Sequence, residues 1–374
     1  MSRHSICAWT FNHSGEAGFR PGIRQKWSGI STPEVINMVG KEIKQRIPSN
    51  IEIGFEVHYD NEINEENAKA SGEALKSNGI YLAMITPGLH KHFAYGGPAS
   101  IDVEELKEAN RISAKTVDLA YSNELKDTWH PEVSPTLVLW NGSWGYDIPG
   151  PWLKEMMENL EEGIAGIINY EKKKGGKLYI AVEPKPNEGH PAMLLPTVGS
   201  VLALKSRLAK KGVDVSRFGT NKEFGHTEMI GLDTVSDTVE EILDNSLFHV
   251  HANSQGYDGI LAGGPGKYDI DNGSKITGSN ISIMKLLIDA GYKRWIGHDM
   301  QARPYDNEQQ AINRVIESVI NIEAMEKVAR NFPTKEINNL LAKRNTQPIE
   351  SIMHELRSTA EKYAREMLKE AGLN

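Results

Sequence analysis

Eight short apolar runs, each followed by a stretch with helical periodicity, constrain this chain more than any other feature. The runs fall at 5–11 (SICAWTF), 51–59 (IEIGFEVHY), 81–86 (YLAMIT), 136–142 (TLVLWNG), 178–182 (LYIAV), 218–225 (FGTNKEFG), 248–253 (FHVHAN) and 294–299 (RWIGHD). The first helix is expected to open at Thr32-Pro33-Glu34, with a capping hydroxyl, proline in the first turn and an early acid. Strand and helix alternating eight times is the pattern of an α/β parallel barrel with an outer helical ring. A doubly wound open sheet is the competitor. Polar residues at the ends of strands two, five, six, seven and eight decide for the (β/α)8 TIM barrel, whose sites are built on that face.

Residues 1–330 are therefore read as a catalytic barrel and 331–374 as a C-terminal helical extension. In the extension Ile349, Ile352, Met353, Leu356, Ala360, Tyr363, Ala364 and Met367 keep three-and-four spacing. Such a stripe must be buried against its own barrel or a second subunit; the second is the expected cover, giving a homodimer or homotetramer.

A net charge of −8 argues against a nucleic-acid partner, which needs a basic face. The single cysteine, Cys7, rules out an intrachain disulfide and a cysteine-rich zinc site. The start lacks the apolar core of a signal peptide and no run approaches membrane-spanning length, so a cytoplasmic protein without membrane contact is expected.

The chemistry gathers where the apolar runs stop. Glu183 ends the fifth run and is followed by Pro184, Lys185 and Pro186, so an acid and a base stand on a stiff turn. With Glu223, His226, His251, Asp269, Asp271 and Asp299, five carboxylates and two imidazoles would meet at one barrel mouth. Taken singly each has a bland reading: His251 as a core histidine, Asp269 and Asp271 as a turn, Glu223 or His226 as a cap. Together they would repel without cations. Oxygen-rich ligation without thiolate suits two divalent cations, Mg²⁺, Mn²⁺ or Co²⁺.

Four motifs, EPKPNE at 183–188, NKEFGH at 221–226, KYDID at 267–271 and HD at 298–299, resemble the xylose isomerase family in its own order. The resemblance spans roughly residues 5 to 305. It implies that Glu183, Glu223, His251 and Asp299 hold one cation, and that Glu223, His226, Asp269 and Asp271 hold a second. It further implies that Lys185 donates to the substrate oxygen and that His58 opens the sugar ring. Trp9 and Trp140 would form the aromatic walls of a monosaccharide pocket. His251 replaces the family's aspartate, as in the related L-rhamnose isomerases. Three residues beyond His58, where the family carries an aspartate, this chain has Asn61, with Asp60 adjacent.

The expected activity is interconversion of an aldose and its 2-ketose by a hydride shift between C1 and C2. A single-metal epimerase or non-hydride isomerase on the same barrel, using two glutamates as acid and base, is the alternative. A non-catalytic sugar-binding barrel would keep the tryptophans without needing seven ligands.

Overall fold

The computed structural model describes residues 2–11, 27, 29–89, 92–93, 96–139, 149–187, 193–255, 271–303 and 306–373. Eight parallel strands close on themselves in chain order, β1 to β8, with β8 pairing back to β1. They are β1 (Arg3–Cys7), β2 (Glu52–His58), β3 (Tyr81–Thr86), β4 (Thr136–Leu139), β5 (Tyr179–Val182), β6 (Phe218–Glu223), β7 (Leu247–His251) and β8 (Ile296–His298).

Around them lie α1 (Thr32–Met38), α2 (Ala68–Asn78), α3 (Val103–Ala120), α4 (Asn123–Lys126), α5 (Gly150–Lys174) and α6 (Val198–Lys210). The ring continues with α7 (Phe224–Met229), α8 (Thr234–Leu243), α9 (Gly278–Asp289) and α10 (Glu308–Ala329), and the chain ends in α11 (Thr334–Ala342) and α12 (Gln347–Glu370). The barrel expectation is met.

Three of the boundaries that differ from those expected bear on the site or on helix capping. The first run is a strand only to Cys7; Ala8–Phe11 then turn into a 3-10 helix, which swings the Trp9 indole over the barrel mouth. The cap of α1 is Ser31 rather than Thr32, and Ser31 forms a capping box with Glu34. The sixth run is a strand only to Glu223, because Phe224–Met229 form α7, which carries His226.

The weak apolarity of β6 has a structural cause. Its residues alternate between two demanding surroundings. Asn221 and Glu223 face the strand-end cluster, while the buried Lys222 points outward, where its Nζ meets Thr227 Oγ1 at 2.8 Å and Asp237 Oδ2 at 3.4 Å. The barrel interior is similarly divided. Cys7, Trp9, Met84, Val138 and Ala181 form an apolar cluster toward β3, β4 and β5. Ser5, Glu56, His249 and His251 form a polar one across β1, β2 and β7.

The C-terminal half of the α12 stripe packs on the chain's own barrel, while Ile349, Ile352 and Met353 stay half-buried. Ala360 and Ala364 are buried, Leu356, Tyr363 and Met367 pack on the core clusters, and the helix lies along α10 and α9. That half is buried within one chain, where the small alanines Ala360 and Ala364 face α9 and α10. Ala364→Glu should accordingly destabilise the monomeric fold by about 3 kcal/mol, through overpacking and a buried unpaired charge. Urea denaturation at two protein concentrations checks this; a change below about 0.5 kcal/mol, as at an ordinary surface site, would mean the face is open. Among the described residues, no helix is long and apolar enough to cross a membrane.

Candidate metal centre and active site

Four consecutive strands deliver one donor each to the same point. Glu223 and His251 are the last residues of β6 and β7, and Glu183 and Asp299 directly follow β5 and β8. One ligating atom from each of Glu183, Glu223, His251 and Asp299 lies within 4.8 Å of the others. His251 Nδ1 is 2.9 Å from Glu183 Oε2, 3.4 Å from Glu223 Oε2 and 3.6 Å from Asp299 Oδ2. Three carboxylates and an imidazole nitrogen, converging from separate strands with no thiolate, fit a divalent cation with mixed oxygen and nitrogen ligands.

Glu223 faces two ways. Its Oε2 belongs to that cluster, whereas its Oε1 lies 3.0 Å from His226 Nε2 and accepts from Asn253 Nδ2 at 2.8 Å. His226 Nδ1 is 3.1 Å from the Pro184 carbonyl, to which it can donate, and Nε2 is then the acceptor atom on the Glu223 side. Asn253 also donates to Asp271 Oδ1 at 3.0 Å and accepts from Gly225 N–H at 2.8 Å, tying the two sides together. Gly225 must be glycine for this, since a Cβ would stand 2.6 Å from Gln255 Nε2 and 2.7 Å from Asn253 Oδ1. Asp271 sits at φ +46°, in the left-handed region that aspartate tolerates better than most residues.

The electrostatics fit a site built for cations. Burial pushes the Glu223 carboxyl up, His226 counters it, and the nearby Glu183 and Asp299 charges add to the rise, leaving it at about 7. Burial would also raise Glu183, but the hydrogen bond and charge of His251, with His226 and Lys185, hold it below the usual carboxylate range. His251 is disfavoured as a cation by burial, yet Glu56 and Glu183 raise it well above an ordinary imidazole. The cluster thus retains protons where positive charge is wanted, and a divalent ion would displace them.

His58 has a carboxylate partner that the sequence reading missed. It is neither Asp60 nor Asn61 but Glu62, whose Oε2 lies 2.9 Å from His58 Nδ1 and accepts from His58 backbone N–H at 2.7 Å. Asn61 Nδ2 holds the other oxygen at 2.7 Å, while Asp60 pairs with His92 at 3.3 Å. The turn after β2 brings Glu62 back, its N–H donating to the His58 carbonyl at 3.1 Å. A carboxylate four residues beyond a strand-end histidine was the available signal.

Trp9 sits between these groups. Its ring centroid is 4.4 Å from that of His58, and its Nε1–H donates to Asp299 Oδ1 at 2.8 Å. The indole is therefore both a wall and a support for a ligand. Lys185 is buried, with its backbone N–H bonded to the Leu195 carbonyl at 3.3 Å. Trp140 and Asp269 lie outside the described residues.

A model of the xylose isomerase-like TIM barrel matches residues 51–321. Among solved structures, the chain is similar to a D-psicose 3-epimerase from Clostridium cellulolyticum H10 in complex with D-tagatose (13% identity, TM-score 0.59, covering 87% of this chain and 99% of that one). An L-ribulose 3-epimerase matches at 13% identity and TM-score 0.57, with coverage of 88% and 96%. A xylose isomerase domain protein from Alicyclobacillus acidocaldarius subsp. acidocaldarius matches at 11% identity and TM-score 0.58, with coverage of 88% and 100%. At these identities the similarity speaks for the fold.

Proposed function

Because this chain belongs to the xylose isomerase-like TIM barrel family, we propose that it is a metal-dependent monosaccharide isomerase interconverting an aldose and its 2-ketose by a hydride shift. The observation that carries this reading is the double-facing Glu223, one oxygen toward His251 and the other toward His226. A carboxylate so placed suits two cations, the first held with Glu183, His251 and Asp299, the second with His226, Asp271 and Asp269. When bound, the cations supply Lewis acidity at adjacent substrate oxygens.

The chain's own residues then have separable tasks. Glu62 orients His58 through Nδ1, and the imidazole exchanges a proton with the sugar ring oxygen. Lys185 donates a hydrogen bond to the oxygen that gains charge as the carbonyl migrates. Trp9 lines the pocket with an apolar face that excludes water and packs on sugar C–H groups, and the same task is proposed for Trp140 from the resemblance alone. The carboxylates at the cluster are committed to cations, which removes them as bases for proton abstraction.

A single-metal epimerase is the second reading, and one observation favours it: Glu183, Glu223, His251 and Asp299 are sufficient for one cation by themselves. Isomerisation in D₂O separates the two. After screening aldoses and ketoses with Mg²⁺, Mn²⁺ and Co²⁺, the product from the best pair should carry no deuterium at C1 by NMR. Deuterium entering the product in step with turnover would replace the hydride path with proton transfer. The chain is further proposed to act in the cytoplasm as a homodimer or homotetramer, and light scattering gives the subunit number.

A further inference from the structure

Glu56 is a charged residue at the centre of the barrel, fully buried and with no place in the reaction above. Four groups converge on its carboxylate. Ser5 Oγ–H donates to Oε1, and His249 Nε2 lies 2.9 Å from the same oxygen. His251 Nε2 lies 2.9 Å from Oε2, and the Cys7 thiol faces that oxygen at 3.6 Å. An ionised carboxylate only accepts, so both imidazoles must present Nε2–H to it. His251 then has Nδ1 left over, and Nδ1 is the atom that faces Glu183, Glu223 and Asp299. His249 Nδ1 is buried with no hydrogen-bond partner among the described residues, which suits a ring that presents its N–H from Nε2.

The strand beside β7 makes room for this pair. A Cβ at Gly297, on β8, would fall on Glu56 Oε1 and stand 2.7 Å from His251 Cδ2. A glycine is needed there because a carboxylate and an imidazole already fill the interior. We propose that Glu56 is the positioning residue of the cation site: it fixes His251 as the Nε2–H tautomer, aims Nδ1 at the three carboxylates, and strengthens that nitrogen as a donor. His249 and Ser5 hold Glu56 in turn. Because the inference rests on the cation site of the proposed function, its test must distinguish the failure of either.

Mn²⁺ affinity is measured by calorimetry on the wild-type chain and on Glu56→Gln, with circular dichroism confirming the fold of each. The variant keeps the side-chain shape but replaces one acceptor oxygen by a donor, so one imidazole loses its partner. The expected result is a 10–100-fold weaker Kd, the usual cost of losing an outer-sphere partner. A folded Glu56→Gln chain with wild-type affinity would overturn the inference. Wild-type protein that binds no divalent cation would overturn the metal-site reading itself. Should the variant fail to fold, ¹⁵N-histidine NMR on the Zn²⁺-loaded wild type decides alone: His251 should show a protonated Nε2 and a metal-shifted Nδ1. The reverse assignment would overturn the role given to Glu56.

Discussion

Glu223→Gln is expected to abolish turnover and to strip both cations from the protein. The side chain is buried at the end of β6, with each oxygen committed to a different set of donors. Glutamine removes the negative charge and leaves a single acceptor oxygen, which cannot serve both sides. Metal analysis after Mn²⁺ loading should approach two ions per chain for the wild type and fall to near zero for the variant. Normal occupancy in the variant would sink the bridging role.

The same substitution should not weaken the metal-free fold. Glu223 holds its proton up to about 7, well above an unfolded glutamate, because burial and neighbouring carboxylates oppose its charge. A group whose folded pKa is raised contributes stability below its unfolded value and loses it as pH rises through the folded value. Above about pH 7 the ionised Glu223 is therefore a burden to the apo protein. Glutamine removes that burden, so apo Glu223→Gln should melt at or above the wild type at pH 8 and show less advantage at pH 5. Loss of function with retained or raised stability is the mark of a site kept charged for its ligand.

The barrel was legible because parallel strands covered on both faces are apolar throughout and bounded by turn residues. The meeting of Glu183, Glu223, His251 and Asp299 was legible because each stands at or near the carboxyl end of a strand-like run. What was not legible depends on contacts across the barrel or around a turn. Glu56 reads locally as a polar residue alternating with His58 late in an apolar strand, and only the approach of β7 shows it between His249 and His251. The pattern FHVH at 248–251 did place two imidazoles on one face at period two, a hint that the interior held their partner. Glu62 was overshadowed by Asp60 and Asn61, and the path of the chain after β2 selects among the three. For the α12 stripe, periodicity required a cover but could not say from which chain it came.

Lys185→Met is expected to lower kcat by about 10²–10³-fold while KM changes little, the scale of losing one donor to a developing oxyanion. Lys185 is buried two residues beyond Glu183, and its charge contributes to holding Glu183 ionised, so it stands beside the cation cluster without belonging to it. Its ammonium cannot compete for a divalent ion. The ion content of Lys185→Met after Mn²⁺ loading should therefore stay near the wild-type value, and this separates Lys185 from Glu223. Lys185→Arg keeps the charge but spreads it over a planar fork, and should recover only part of the lost rate, because a compact ammonium suits a single oxygen. Single-turnover kinetics at saturating sugar isolates the chemical step. Lys185→Met activity within a few-fold of the wild type would show that the lysine only balances the charge of Glu183, and the hydride path would then need another donor at the migrating carbonyl.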